Sequence, residues 1–328
     1  DDGGIVYRSK NIGNGQSTSI SMTIEGPSDL SFDWKVSSES NCDKLSWSLN
    51  GSKISEISGT GEGWQNVTYS VPSGSNTVTW MYSKDSSVVK GEDCGWIRIG
   101  ENEPFAGCDG IKNVVVPACF ISRLRELFFD SFNQITNVTV SGNINEIPSR
   151  AFEGFELLEA FTIPSRVTNI GSYAFSGCTN LNSLVIADGV EKIGEYAFKG
   201  CKSLTKLEIP KSVTSIGSSA LSGCSGLKEL TIPFVGSKRG NSSGWETDFG
   251  YVFGKDSYEG GDATTQRNGT FYIPQKLRSV EITDETVIAM CAFEHSYVEN
   301  IVLPESLVQI DTYAFEYCYN IRTCSRYF

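Results

Sequence analysis

A phenylalanine or leucine recurs through the last two-thirds of this 328-residue chain, at Phe105, Phe129, Phe152, Phe175, Phe198, Leu221, Phe293 and Phe315. Successive separations are 24, 23, 23, 23, 23, 72 and 22 residues. A fixed period of that size marks a solenoid, in which each repeat is one supersecondary unit stacked on the next. So short a coil cannot bury its own apolar face, and its stability comes from its neighbours. Stacked coils make a long, pre-shaped surface, which predicts binding and not bond-breaking.

The unit is cleanest at Asn169-Ile170-Gly171-Ser172-Tyr173-Ala174-Phe175-Ser176-Gly177-Cys178, continued by Leu181, Leu184 and Ile186. A second copy runs from Lys192 through Phe198 and Cys201 to Leu207, Ile209 and Pro210, and a third ends Leu227, Leu230, Ile232, Pro233. Leu207 and Ile209 alternate with Lys206 and Glu208, the period of a half-buried strand. Pro210 ends it, because proline cannot donate a ladder hydrogen bond. Such strands stack in parallel at ~4.8 Å, and each inward Phe is predicted to stack on its counterpart one coil away. Outward positions then form a second grid: Ala160, Thr162, Ser183, Val185, Lys206, Glu208, Glu229, Thr231, Ser279, Glu281, Asn300 and Val302.

The 72-residue step between Leu221 and Phe293 breaks the period. One reading is a looped insertion over about 234–273, with the coil resuming at Leu277, Val280 and Ile282; the other is a set of degenerate repeats. Long excursions are often functional.

The first hundred residues have a different rhythm. Leu30, Phe32, Trp34 and Val36 alternate with polar residues, as do Leu45, Trp47 and Leu49, and Val78, Trp80 and Tyr82. Turn signals at Asn50-Gly51 and Pro72-Ser73-Gly74 separate them. Short antiparallel strands at this spacing predict a β-sandwich of jelly-roll type. The expected fold class is thus mainly β: a sandwich over 1–103 and a leucine-rich-repeat solenoid with a parallel sheet over 104–328. The boundary is expected at Gly100-Glu101-Asn102-Glu103-Pro104.

Composition narrows the function. A net charge of -12 argues against nucleic acid, whose phosphates attract basic surfaces. No apolar run reaches the ~18 residues of a membrane-spanning helix. Cys108, Cys178, Cys201, Cys224 and Cys318 each lie three residues after a repeat Phe or Leu, so they are expected as small buried hydrophobes. Cys42 and Cys94 lie outside the repeats and can pair in an oxidising compartment. No CxxC or Cys/His cluster is present, and no metal or cofactor is expected. Four Asn-x-Ser/Thr sequons occur, at Asn66, Asn137, Asn241 and Asn268.

The phrase Ile-Gly-x-x-Ala-Phe-x-x-Cys-x-x-Leu-x-x-Leu-x-Ile-Pro, densest over Asn169–Pro233, resembles the BspA-like leucine-rich repeats, also called the Treponema pallidum type. The stretch from Ile232-Pro233-Phe234-Val235-Gly236 to Phe249-Gly250-Tyr251-Val252-Phe253-Gly254 is similar to an insertion that recurs in that family. The resemblance implies a surface or secreted protein of bacteria or some protists, with an adhesive and not an enzymatic role. Trp64-Gln65, Thr79–Asp85 and Gly91–Ile97 resemble jelly-roll modules of bacterial adhesins, akin to carbohydrate-binding and MAM-like domains. Arg98 stands where such modules often carry an acid, so no calcium site follows from the likeness.

The primary expectation is a non-catalytic, monomeric adhesion protein at a cell surface or secreted. It would bind a host matrix or cell-surface protein, or a glycoprotein, through Thr162, Ser183, Val185, Lys206, Glu208, Glu229, Thr231, Glu281, Asn300 and Val302. The alternative is a glycan-binding protein that uses the sandwich, with the repeats as spacer. Trp34, Trp47 and Trp80 fall in phase with core positions, and Trp64 is the best candidate for exposure. Asp85, Glu92 and Asp93 could gather on a calcium ion, but their spacing fits no EF-hand loop. His295 is the one histidine, and no triad motif accompanies it. A two-carboxylate hydrolase remains a third reading.

Overall fold

The computed structural model describes residues 6–9, 12, 14–38, 42–59, 63–85, 94–98, 112–128, 132–241, 244–267 and 269–326. The expected boundary at 100–104, the repeat residues Phe105, Cys108 and Phe129, the acids Glu92 and Asp93 and the sequon Asn268 lie outside them. Two compact units emerge, Asp1–Gly142 and Asn143–Phe328. Among the described residues the longest helix has 6 residues, and none is long and apolar enough to cross a membrane. That criterion does not address strands.

The first unit is built on two long antiparallel strands, Ser17–Ser37 and Gln65–Ser83, paired along their length with a bulge at Gly26/Ser28. Lys44–Leu49 adds to the second strand and Ser52–Ile57 to its outer edge. Cys94–Arg98 pairs with Asp33–Ser37, and Val6–Arg8 pairs with Cys94–Arg98 in turn. Period-two alternation drives Phe32, Trp34, Trp47, Trp80 and Tyr82 inward, where all are buried. Trp80 is the register partner of Ile20, yet its ring meets Phe32 edge-on at 5.2 Å. Phe32 lies twelve residues further along the same strand (32 − 20), so the ribbon bends back over its own aromatic core. The unit is mainly β, as its alternation predicts. Its hydrogen bonds link the described strands into one sheet and do not separate two sandwich layers.

The repeat begins inside this unit. Asn113–Pro117 pairs antiparallel with the long strand, Val115 opposite Ser21, and parallel with Asn137–Ser141. Main-chain pairing to a sheet edge binds these first repeat strands into the compact unit that ends at Gly142.

In the second unit each coil contributes a strand to two parallel ladders. On one side Ala160–Ile163 pairs with Ser183–Ile186, and Lys206–Glu208, Glu229–Ile232, Ser279–Ile282, Asn300–Leu303 and Thr323–Arg326 pair in succession. On the other, two-residue strands Glu146–Ile147, Asn169–Ile170, Lys192–Ile193 and Ser215–Ile216 pair in the same order. Gly171, Gly194 and Gly217 follow them, because a Cβ at any of these would collide with backbone of the preceding coil.

Between the ladders runs the aromatic spine. Phe152 stacks on Phe175 with centroids 4.8 Å apart and planes at 10°, and Phe175 on Phe198 at 5.9 Å and 22°. Their amides donate coil to coil: Phe152 to the Ala174 carbonyl, Phe175 to that of Ala197, Phe198 to that of Ala220, at 2.7–2.9 Å. Burying a side chain of this size is worth ~2–3 kcal/mol. The repeat cysteines also behave as expected where described: Cys178, Cys201 and Cys224 are fully buried, and Cys318 is half-buried. Their thiols donate to the carbonyls of Phe152, Phe175, Phe198 and Phe293. Burial pushes the Cys201 thiol well up and the Cys224 thiol up to about 12.

Across the 72-residue step Glu229–Ile232 pairs directly with Ser279–Ile282, so a single coil carrying an insertion spans it, and not a row of degenerate repeats. A single 3-10 turn, Phe249–Val252, re-enters the stack. The Leu221 amide donates to the Val252 carbonyl and the Phe249 amide to that of Ala292. Phe249 stacks on Phe293 at 4.6 Å, Phe293 stacks on Phe315 at 5.2 Å, and Phe253 meets Phe249 edge-on at 5.3 Å. An antiparallel hairpin, Gly261–Gln266 with Gly269–Pro274, follows before the next front strand. The preceding loop is anchored by the buried Glu285 carboxylate, which accepts from the amides of Val235, Gly240 and Thr286.

Candidate protein-interaction site

The front ladder fixes a grid. Within each hydrogen-bonded stretch the strands pair residue for residue, so the outward positions line up in two rows, although the ladder bonds do not run from Ser183–Ile186 to Lys206–Glu208. Ala160 lies beside Ser183, Lys206 beside Glu229, Glu229 beside Ser279, and Ser279 beside Asn300. In the second row Thr162 lies beside Val185, Glu208 beside Thr231, Thr231 beside Glu281, and Glu281 beside Val302. All of these alternate with buried Phe161, Leu184, Leu207, Leu230, Val280 and Ile301.

Exposure is graded along the grid. Ala160, Thr162, Ser183, Val185, Lys206, Glu208 and Glu229 are exposed, Val185 to 51%. Thr231, Ser279, Glu281, Asn300 and Val302 are half-buried. Thr162, Ser183 and Val185 thus stand on the Ala160–Ile163/Ser183–Ile186 pair, and Lys206, Glu208, Glu229, Thr231, Glu281, Asn300 and Val302 on the five-strand ladder that starts at Lys206–Glu208.

The polar residues constrain one another. Lys206 Nζ sits 2.7 Å from Glu208 Oε1, both side chains more than half exposed. The Glu208 carboxylate, and behind it Glu229 and Glu281, hold the Lys206 ammonium above its usual range. Thr231 Oγ1 donates to Glu281 Oε2 at 3.4 Å. Glu299 bridges Arg278 and Arg322 at 2.9 and 3.3 Å. Two members escaped the sequence-derived set. Thr323 pairs with Asn300 and Ser325 with Val302, and both are exposed. The signal was there, since Cys324 lies nine residues past Phe315 as Leu184 lies past Phe175.

The other candidates separate. Trp64 is half-buried, and the Lys35 ammonium covers its face at 4.8 Å and that of Trp96 at 4.6 Å. His295 stacks on Tyr317 at 4.6 Å with its Nε2 3.9 Å from Glu294. The Asp85 amide donates to Asp43 Oδ1. Among the described residues no group of three or more His, Cys, Asp or Glu is placed to hold a metal ion. Cys94 is buried and Cys42 half-buried.

The sequence matches the family model described as a BspA type leucine rich repeat region, in 6 copies, over residues 96–179, 156–243 and 264–326. Among solved structures, it is similar to a Treponema pallidum leucine rich repeat protein at 22% identity and TM-score 0.38, covering 64% of this chain and 83% of that one. A leucine rich cell surface protein from Faecalibacterium prausnitzii shares 27% identity at TM-score 0.31, over 60% of this chain and 48% of that one. The pneumococcal vaccine antigen PcpA shares 22% identity at TM-score 0.30, over 69% of this chain and 57% of that one. This chain thus spans about half the length of the latter two. A search of curated proteins finds no match. The family match spans more than half of the chain and includes the regular coils with Phe152, Phe175, Phe198, Phe293 and Phe315 and both ladders, while Phe249 and Phe253 lie outside it. On that ground the chain belongs to the BspA-type leucine-rich-repeat family.

Proposed function

We propose that this is a non-catalytic adhesion protein, displayed at a cell surface or secreted, that binds a protein or glycoprotein partner through the outward face of the front sheet. Function has to be argued from the site and not from the fold alone. The observation that carries the reading is the grid itself. Two rows of side chains, several of them exposed, stand at strand spacing on a ladder-bonded backbone. A partner meeting such a pre-ordered face loses little further conformational freedom. The family's repeat architecture and the surface-protein description of one similar chain fit this placement.

The test exchanges the charges of the central pair, Lys206→Glu together with Glu208→Lys. Net charge is conserved and the two side chains can still pair, so the fold should be untouched. Solid-phase binding to a panel of purified extracellular-matrix proteins should weaken for the ligand bound by the native chain. Binding equal to native would remove the sheet face from the account.

A further inference from the structure

The interrupted coil does more than carry the spine across the gap. With the two regular coils before it, it lines an open cleft of about 420 Å³. Tyr196 and Ser218 come from two successive regular coils, and Trp245, Lys255, Asp256 and Phe271 from the interrupted one. A cleft of this volume falls within the range of small-molecule sites.

Its walls are built into the ladder. The Ser219 amide donates to the Tyr251 carbonyl at 2.9 Å, next to the Leu221–Val252 bond. Gly254 presses on Ser219 so closely that a Cβ there would collide with the hydroxyl. Trp245 is backed by Tyr251 at 5.0 Å and is 41% exposed. It contrasts with Trp34, Trp47 and Trp80, which are buried in the first unit. Tyr196 is held by stacking on Tyr173 at 4.9 Å. The Lys255 ammonium lies over the Trp245 ring at 5.5 Å and over that of Phe271 at 5.3 Å, so a ring docking on that face of Trp245 displaces it to the rim.

The chemistry of the lining selects among ligands. An aliphatic ligand would leave the Asp256 carboxylate and the Lys255 ammonium facing hydrocarbon, at a desolvation cost. A phosphate would meet Asp256, with Glu195 and Glu246 close behind at Tyr251. A pyranose satisfies both parts of the site. Its axial C–H face suits the electron-rich face of an indole or phenol ring. Its rim of hydroxyls can donate to Asp256 and accept from Lys255 and the Ser218 hydroxyl. We propose that this cleft is a sugar-binding site for one pyranose residue of a neutral glycan, stacked on Trp245 beside Tyr196 and oriented by Asp256, Lys255 and Ser218. The proposal is independent of the sheet face, since the two sites share no residue.

Saturation-transfer NMR on the whole chain, with the methyl pyranosides of glucose, galactose, mannose and N-acetylglucosamine as probes, tests it. Ring-proton transfer to at least one of the four is expected. Trp245→Ala should lower that affinity about tenfold or more, as truncation of a contact aromatic typically does. Asp256→Asn should weaken the same probe, while the Lys206/Glu208 exchange should leave it unchanged. A melting curve accompanies each variant; should Trp245→Ala prove unfolded, Asp256→Asn alone decides, being an exposed side chain. Transfer to none of the four probes, or native affinity in the folded Trp245→Ala protein or in Asp256→Asn, would overturn the site.

Discussion

In the coils carrying Phe175 and Phe198, one repeat Phe per 23 residues supplies the spine, and its amide donates to a carbonyl of the next coil at the same offset. The coil between Ile232 and Val280 supplies two rings instead, Phe249 from the 3-10 turn and Phe253 from the residue that follows it. Backbone bonding puts that turn in touch with both neighbours, through Leu221–Val252 on one side and Phe249–Ala292 on the other. What a solenoid conserves from coil to coil is therefore the ladder and the filled centre, and not the length of chain between them. Residues beyond the regular length are free to build something else, here a buried anchor at Glu285, a hairpin and a cleft.

The comparison can be broken most severely at the spine. Phe175→Ala should cost ~3–5 kcal/mol, the usual loss for a fully buried ring. Phe249→Ala should cost about as much, because Phe249 is as buried and stacks at least as closely. Urea unfolding measures both; a loss near zero for Phe249 would return its segment to the status of a surface loop. Glu285→Gln comes next, at ~1–3 kcal/mol, since a buried carboxylate that accepts several amides would be replaced by a group that presents a donor among donors. A loss confined to the regular coils would show that the loop anchors itself elsewhere.

Leu221→Phe sharpens the comparison further. Repeat logic alone makes Leu221 a place where the common Phe should fit. The structure sets it against the turn that brings in two rings of its own. Overpacking there should cost ~1–3 kcal/mol, read as a lower melting temperature. A neutral result would mean that the interrupted coil leaves room the regular coils do not.

The thiol column gives the mildest effect, and one with a definite pH window. Burial raises the Cys224 thiol from 9.0 to about 12, so the folded chain keeps a proton that the unfolded chain releases. Below pH 9 both states are protonated and the group is silent. Between pH 9 and about 12 stability falls as pH rises, because the unfolded state binds fewer protons. Cys224→Ala should flatten that slope in melting curves; an unchanged slope would place the titration elsewhere.

These regions also divide what could be read from the residues alone. Asn169–Pro233 was legible in detail, down to which side chain faces in, because the same 23-residue phrase repeats and each coil corroborates the next. The outward grid followed from alternation. Phe249 and Phe253 were not legible as spine members, since counting 23 on from Leu221 lands on Gly244, and no spacing rule puts two rings four residues apart into one coil. The pairing that draws the first repeat strands into the first unit was hidden for a related reason. Residues 113–117 carry the repeat's pattern, yet their edge bonds join the long strand Ser17–Ser37, a pairing with no local signature. The cleft beside Trp245 was invisible too, because it exists only where segments more than 40 residues apart, such as Tyr196 and Trp245, are laid together.

Native-state hydrogen exchange tests most directly whether the coils form one continuous stack through the interruption. Amides that open only with global unfolding share its free energy, whereas loop amides exchange through small local openings. The amides of Phe175, Leu221, Phe249 and Phe293 should exchange together, at one common free energy of opening. Fast exchange at Phe249, with Phe175 still protected, would contradict the account.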